Sequence, residues 1–174
     1  KDGNTIQDYR GEMLFSGAEL KRVKKNIERK IIQCRRANTH LLIILIPNKE
    51  TVYAEYMPNS IPKGKMNRFA QLQKLCRENP HLPVLFLTDA LTAKKKERQI
   101  YYTGGTHWNQ YGAFYGYETV MNRLTQHFPQ LKPYPVEAFD ISIDENSAYD
   151  HWFGFKDHRH YQFSLKKPLP EKFK

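Results

Sequence analysis

Residues 17–128 predict an α/β fold, a sandwich of helices around a mainly parallel sheet. Two observations lead there. Helix, strand, helix, strand, helix, strand and helix signals follow one another along this span, the order that layers helices over a sheet. The main strand candidates are continuous runs of β-branched residues and leucine, as expected where both faces of a strand are covered.

The first helix is the best marked. Ser16 is a capping residue type three positions before Glu19, which can reach back to it, and Phe15 and Leu20 are set to pack as a hydrophobic staple. Leu20, Val23, Ile27, Ile31 and Cys34 recur on one face, opposite Lys21, Arg22, Lys24, Lys25, Glu28 and Arg29, giving a helix over 17–37. Leu41–Ile46 follows as a buried strand that ends at Pro47-Asn48-Lys49. Loops after the carboxyl ends of such strands are where open α/β sheets take ligands. Thr51–Tyr56 reads as a weaker extended segment, and 58–65 as loop.

Met66, Phe69, Leu72, Leu75 and Cys76 mark a second amphipathic helix that stops before Pro80. Val84–Leu87 is the next buried strand, and Asp89 is set to cap a short basic helix over 90–98. Ile100–Tyr102 is a third, short strand. From Asn109, another capping type, a last helix places Ala113, Tyr117, Val120, Leu124 and Phe128 on its buried face. After Phe128 no clear period remains. The chain thus reads as one domain with an N-terminal extension (1–16), an α/β core (17–128) and an irregular C-terminal segment (129–174).

A chain of 174 residues is one domain in size and long enough to bury a core. Its net charge of +10 favours a polyanionic partner, while its basic residues are spread over several groups that also read as solvated helix faces. No nucleic-acid motif accompanies the charge. Cys34 and Cys76 fall inside apolar stripes without metal-ligand spacing, and are either a disulfide or two buried thiols. No segment approaches the roughly 20 apolar residues that span a bilayer. The chain opens at Lys1 without Met, which fits the loss of an upstream segment.

The stretch Tyr102–Gly112, YTGGTHWNQYG, carries the chemistry. His107 lies two residues past a pair of glycines, between a strand and a helix start, where an imidazole can act as a base near neutral pH. Trp108, Tyr111 and Tyr115 are candidates to stack on sugar rings, whereas Tyr117 belongs to the apolar helix face. Asn48 and Lys49 form a second group: the lysine could meet a carboxylate and the asparagine an oxyanion, or the pair could make a turn and a solvated cation. Asp150, His151, Asp157, His158 and His160 raise a metal site, but no matching ligand set appears elsewhere, and no metal is expected.

These motifs resemble those of the alginate O-acetyltransferase family, SGNH-hydrolase-like periplasmic proteins that acetylate exported polysaccharides. Lys1-Asp2-Gly3 resembles the family's GKDGWLF opening without its WLF, and Asp8-Tyr9-Arg10-Gly11 resembles the DYRG after it. Phe15-Ser16 with Glu19-Leu20 is similar to the family's first helix start. Pro47-Asn48-Lys49-Glu50-Thr51-Val52-Tyr53 and Tyr56-Met57-Pro58 match its PNKxTvY and yLP segments. Thr106-His107-Trp108-Asn109 with Gly112-Ala113 matches its DTHW-GA block. The resemblance covers about residues 1–130.

It implies an SGNH-like three-layer sandwich whose C-terminal part falls outside this sequence, and an O-acetyltransferase that works through an acetyl-serine. In such chemistry a serine needs an adjacent base, the base needs a carboxylate, and the oxyanion needs donors. His107 takes the base's place. Asn48, Lys49, Trp108 and Asn109 take substrate-binding places. Gly105 stands where the family has its Asp, and no GDSF block occurs; Ser142, Ser147 and Ser164 lack that context. Three accounts fit: a fragment of a longer enzyme, a member using another carboxylate such as Asp89, or a noncatalytic polysaccharide-binding or scaffold protein on the same fold. An acidic polysaccharide and a membrane-bound acetyl donor are the implied partners, with no cofactor and no nucleic acid, in the periplasm or anchored facing it.

Overall fold

The computed structural model describes residues 4–144 and 160–167. They form two compact units, Lys1–Phe86 and Leu87–Lys174.

The first unit opens with α1 (Thr5–Tyr9), whose Tyr9 is 4% exposed. Asp8 accepts two hydrogen bonds on one oxygen, from the backbone N–H of Arg68 at 3.3 Å and from its Nε at 2.8 Å. The carboxylate thereby both pairs the guanidinium and satisfies a backbone donor at the start of α4 (Arg68–Glu78), where negative charge is favoured. Gly11 follows at φ +76°, and a Cβ there would lie 2.3 Å from the Met66 carbonyl oxygen. Gly64 meets the same turn from the other side: its N–H donates to Tyr9 O at 2.9 Å, and a Cβ would lie 2.3 Å from Arg10 O. Gln71 closes the segment by accepting from Phe15 N at 2.8 Å and donating to Phe15 O at 2.9 Å. The Asp8–Gly11 motif is therefore a lock on the start of α4.

Helix α2 (Gly17–Arg36) starts as the sequence predicts, with a complete capping box. Ser16 Oγ accepts from Glu19 N at 3.2 Å, and Glu19 Oε2 accepts from Ser16 N at 2.8 Å. The Ser16 backbone N–H, with its hydroxyl, holds the Glu19 carboxyl below the usual carboxylate range. Leu20, Val23, Ile27, Ile31 and Cys34 are half-buried, and α2 packs on α4.

Strands β1 (Ile43–Leu45) and β2 (Val84–Phe86) pair in parallel, Ile43 with Val84 and Leu45 with Phe86. Phe86 meets Phe69 of α4 edge-on at 5.4 Å between ring centroids. β1 is shorter than the predicted run, and it is not covered on both sides: Ile44 is 39% and Ile46 45% exposed. Successive side chains of a strand point to opposite faces, so the Ile44 side of β1 is the exposed one, while its partner Leu85 in β2 is half-buried. The segment read as extended, 51–56, is helical instead. Thr51 and Val52 N–H groups donate to Asn48 O and start the short α3 (Lys49–Val52), with a 3-10 turn over Ala54–Tyr56. Val52 is 1% exposed and anchors this turn. Both cysteines are free, half-buried thiols, and burial pushes the Cys76 thiol up.

In the second unit, α5 (Thr88–Lys94) begins earlier and ends earlier than the predicted 90–98. Asp89 consequently sits within the first turn and does not cap; Leu87 holds the cap position without a side-chain bond. Leu87, Leu91 and Ile100 are fully buried. The third predicted strand is reduced to a single antiparallel bridge between Tyr101 and Trp108.

Helix α6 (Gln110–Leu124) buries Tyr111, Gly112, Phe114, Tyr115 and Gly116, a face rotated from the predicted one. Tyr111 and Tyr115 are core residues, at 8% and 9% exposure, and not sugar platforms. Tyr117 is half-buried and its hydroxyl accepts from Tyr134 N at 2.8 Å. Tyr111 and Phe114 on the rotated face are covered by a two-stranded antiparallel sheet, β3 (Phe139–Asp144) and β4 (His160–Leu165), lying in the segment read as irregular. Phe163 lies 4.9 Å from Tyr111 and 5.7 Å from Phe114, ring centroid to centroid, and Tyr161 lies 4.8 Å from Tyr111. Cations finish the packing: the Arg98 guanidinium sits 4.0 Å above the Tyr111 ring, and Lys94 Nζ 5.0 Å above that of Tyr115.

Candidate active site

The loop from Gln99 to Asn109 is a narrow hairpin. Tyr102 N donates to His107 O at 3.1 Å, and Asn109 N donates to Ile100 O at 3.0 Å. Gln99 reinforces the turn from one side, its Nε2 donating to Tyr101 O at 2.7 Å and Thr103 Oγ1 at 2.8 Å. Asn109 reinforces it from the other, its Nδ2 donating to Gln99 O at 2.9 Å. Asn109 Oδ1 also accepts from Gly112 N at 3.0 Å, capping α6 as its residue type predicts. Asn109 is 5% exposed, with both polar atoms of its side chain held by backbone.

Two glycines of α6 complete the arrangement. A Cβ at Gly112 would lie 2.3 Å from Ile100 O and 2.9 Å from Trp108 Cβ. A Cβ at Gly116 would lie 2.7 Å from Trp108 Cζ3. The indole of Trp108 thus lies across a notch that only glycines leave open. Trp108 and Asn109, expected at the substrate, are placed where they fasten the loop to the helix. His107, between them and the glycine pair, is exposed. The sequence order Gly-Gly-Thr-His-Trp-Asn therefore separates roles: Trp108 and Asn109 turn inward and the imidazole remains accessible.

Asn48 and Lys49 belong to the first unit. Asn48 is exposed at the end of β1, and its carbonyl starts α3. Its side-chain amide bonds Glu50, which sequence reasoning passed over. Burial pushes the Glu50 carboxyl up, partly offset by its own backbone N–H and the Asn48 amide, while the Asp8 charge adds to the rise. Burial also lowers Lys49, which is half-buried. Asn, Lys and Glu in succession after a strand were the available signal for this polar cluster.

Ser142 and Ser164 lie exposed in β3 and β4, where Asp140 pairs with Ser164 and Ser142 with Gln162 on the polar face of the sheet. Ser147, Asp150, His151, Asp157 and His158 lie outside the described residues, as does the side chain of His160. Among the described residues no group of His, Cys, Asp and Glu could hold a metal ion, and no helix is long and apolar enough to cross a membrane.

The chain matches, over residues 11–162, the family described as SGNH hydrolase-like domain, acetyltransferase AlgX. Among solved structures it is similar to PatB1 of Bacillus cereus with a sulfonyl adduct, at a TM-score of 0.64 and 17% identity, covering 86% of this chain and 49% of that one. A second PatB1 structure gives 0.64 and 16%, covering 86% and 52%. The O-acetyltransferase domain of Pseudomonas putida AlgJ gives 0.50 and 18%, covering 75% and 48%. The chain therefore spans about half the length of these solved structures. Comparison with curated proteins returns no match. With the family match covering most of its length and a parallel β1–β2 pair in a mixed α/β fold, the chain belongs to the SGNH hydrolase-like acetyltransferase AlgX family.

Proposed function

We propose that this protein serves O-acetylation of an exported acidic polysaccharide, with His107 as general base. The observation that carries the reading is the exposed imidazole at a loop whose flanking Trp108 and Asn109 are both fixed inward, in a chain of an acetyltransferase family. The nucleophile is a serine outside these 174 residues. His107 takes the proton from that hydroxyl as its oxygen attacks the acetyl carbonyl, and gives it to the donor's leaving group as the old ester bond breaks. A sugar hydroxyl then attacks the acetyl-serine. His107 takes its proton and returns it to the serine oxygen, leaving an acetylated sugar and free enzyme. Lys49 meets a carboxylate of the glycan. Trp108 and Asn109 act by holding the loop. The donor is a membrane-bound acetyl carrier on the periplasmic side.

Gly105, at the family's Asp position, favours a second reading: a noncatalytic polysaccharide-binding or scaffold protein. Hydrolysis of p-nitrophenyl acetate and acetyl transfer to a polyuronate, measured on a protein that also carries the nucleophilic serine, separate the two. Under the first reading His107→Ala lowers kcat/KM by about 10²–10⁴. Gly105→Asp raises the wild-type rate at least about tenfold, since loss of a triad's acid costs up to about 10⁴. Equal rates for wild type and His107→Ala would leave the noncatalytic reading.

A further inference from the structure

Helix α2 carries eight cations, Lys21, Arg22, Lys24, Lys25, Arg29, Lys30, Arg35 and Arg36, against two carboxylates, Glu19 and Glu28. Both carboxylates are engaged elsewhere. Glu19 closes the capping box on Ser16, with Arg22 only a minor neighbour. Glu28 accepts from His81 at 3.1 Å and pairs with Lys24 at 3.8 Å. At about 100° per residue, Lys21, Arg22, Lys25, Arg29 and Arg36 fall within roughly 60° of the line opposite the apolar stripe. All five are exposed. Among the described residues none of them forms a salt bridge, and Arg29 bonds only the neutral Asn26, at 3.1 Å. Lys21 with Lys25, and Lys25 with Arg29, are like charges at i,i+4, a spacing that disfavours the helix by itself. An anion laid along the stripe relieves this repulsion.

Building on the polysaccharide reading above, we propose that this stripe is a docking track for a linear, carboxylate-bearing polysaccharide. Arg22, Arg29 and Arg36 recur every seven residues, so three guanidinium forks stand roughly 10 Å apart along the helix. Such forks take carboxylates two-pronged, which a regularly charged chain offers in succession. The track is a line with one exposed apolar residue, Ile32 at 51%, while the helix's apolar stripe is turned onto α4. An interfacial membrane helix instead turns its apolar face into the lipid.

The test measures binding of the protein to sodium polygalacturonate by calorimetry over a salt series, without any acetyl donor. The triple variant Arg22→Gln, Arg29→Gln, Arg36→Gln is expected to bind at least tenfold more weakly and with a flatter salt dependence. Its circular dichroism and Tm should match or exceed wild type. The control Lys132→Gln, Lys166→Gln, Lys167→Gln removes equal charge and is expected to change affinity less than twofold. His107→Ala is expected to bind as wild type does, which separates docking from acetyl transfer. Unchanged binding by the arginine variant, an equal loss in the control, or stripe-dependent binding to phosphatidylglycerol vesicles or duplex DNA with none to polyuronate would overturn the proposal.

Discussion

The lock around Asp8–Gly11 and the loop around His107 are built alike and end differently. Each has a glycine whose Cβ would lie 2.3 Å from a backbone oxygen, Gly64 in the first and Gly112 in the second. Each has a side chain that feeds the first turn of a helix, Asp8 to Arg68 N and Asn109 to Gly112 N. In the lock, Asp8 and Tyr9 both turn inward. In the loop, Trp108 and Asn109 do so, but His107 between them and the glycines stays exposed. A motif matched by a family is therefore mostly a specification of backbone path, and the chemistry rests on the residue that the path leaves accessible.

The largest expected effect separates these regions most sharply. Gly112→Ala and Gly64→Ala each push a methyl group against backbone, which cannot swing aside, and each is expected to cost about 3 kcal/mol, read by chemical denaturation. Only Gly112→Ala is expected to lower acetyl transfer per folded molecule as well, because it displaces the Ile100–Trp108 hairpin that carries His107. Equal loss of activity in both variants would show that the two regions are not separate in function.

Smaller effects come from the side chains that start the helices. Asp8→Asn removes the charge from a pairing with Arg68 that is partly exposed, at 14% and 36% for the two side chains. Asn109→Ala removes a cap and the bond to Gln99 O. Each is expected to cost about 1–2 kcal/mol. Salt should weaken the effect of the first and leave the second unchanged, since only the first is an ion pair. A salt-independent Asp8→Asn would mean that Asp8 acts through its bond to Arg68 N alone.

Much of the helical frame was legible because its signals are local. Ser16 and Glu19 declare the start of α2 three residues apart, and Asn109 declares that of α6. The sheet partners of α6 were not read. Phe139–Asp144 and His160–Leu165 do alternate apolar and polar residues, Phe139, Ile141 and Ile143 against Tyr161, Phe163 and Leu165. Each run is only six residues long, and a stretch rich in Asp, His and aromatics separates them, so no period spans the whole segment. With those strands unread, the face of α6 was placed wrongly, and Tyr111 and Tyr115 looked available for sugars. Thr51–Tyr56 failed for a similar reason: β-branched Thr51 and Val52 suggest a strand, but the Asn48 carbonyl captures the next N–H groups into a turn. His107 was legible as a candidate, whereas the inward placement of Trp108 depends on Gly116, eight residues away on another element.

The smallest effects test whether burial or capping governs a carboxylate in the first unit, where Glu19 and Glu50 are shifted in opposite directions. The Ser16 N–H and hydroxyl lower Glu19, so its contribution to stability is present above the unfolded-state value and is lost as pH falls through the lower folded value. Burial raises Glu50, so the folded state binds its proton more tightly than the unfolded chain does. Its ionised form then opposes folding at neutral pH, and that opposition fades as pH falls through the raised value. Glu19→Gln should accordingly lower Tm at pH 7, and Glu50→Gln should raise it, with both differences shrinking on acidification. Thermal melts of the two variants from pH 7 down to acid read the signs directly. A Glu50→Gln protein less stable than wild type at pH 7 would mean that the Asn48 amide and the backbone N–H hold the ionised carboxylate more strongly than burial disfavours it, and that Glu50, like Glu19, is a turn-fixing group.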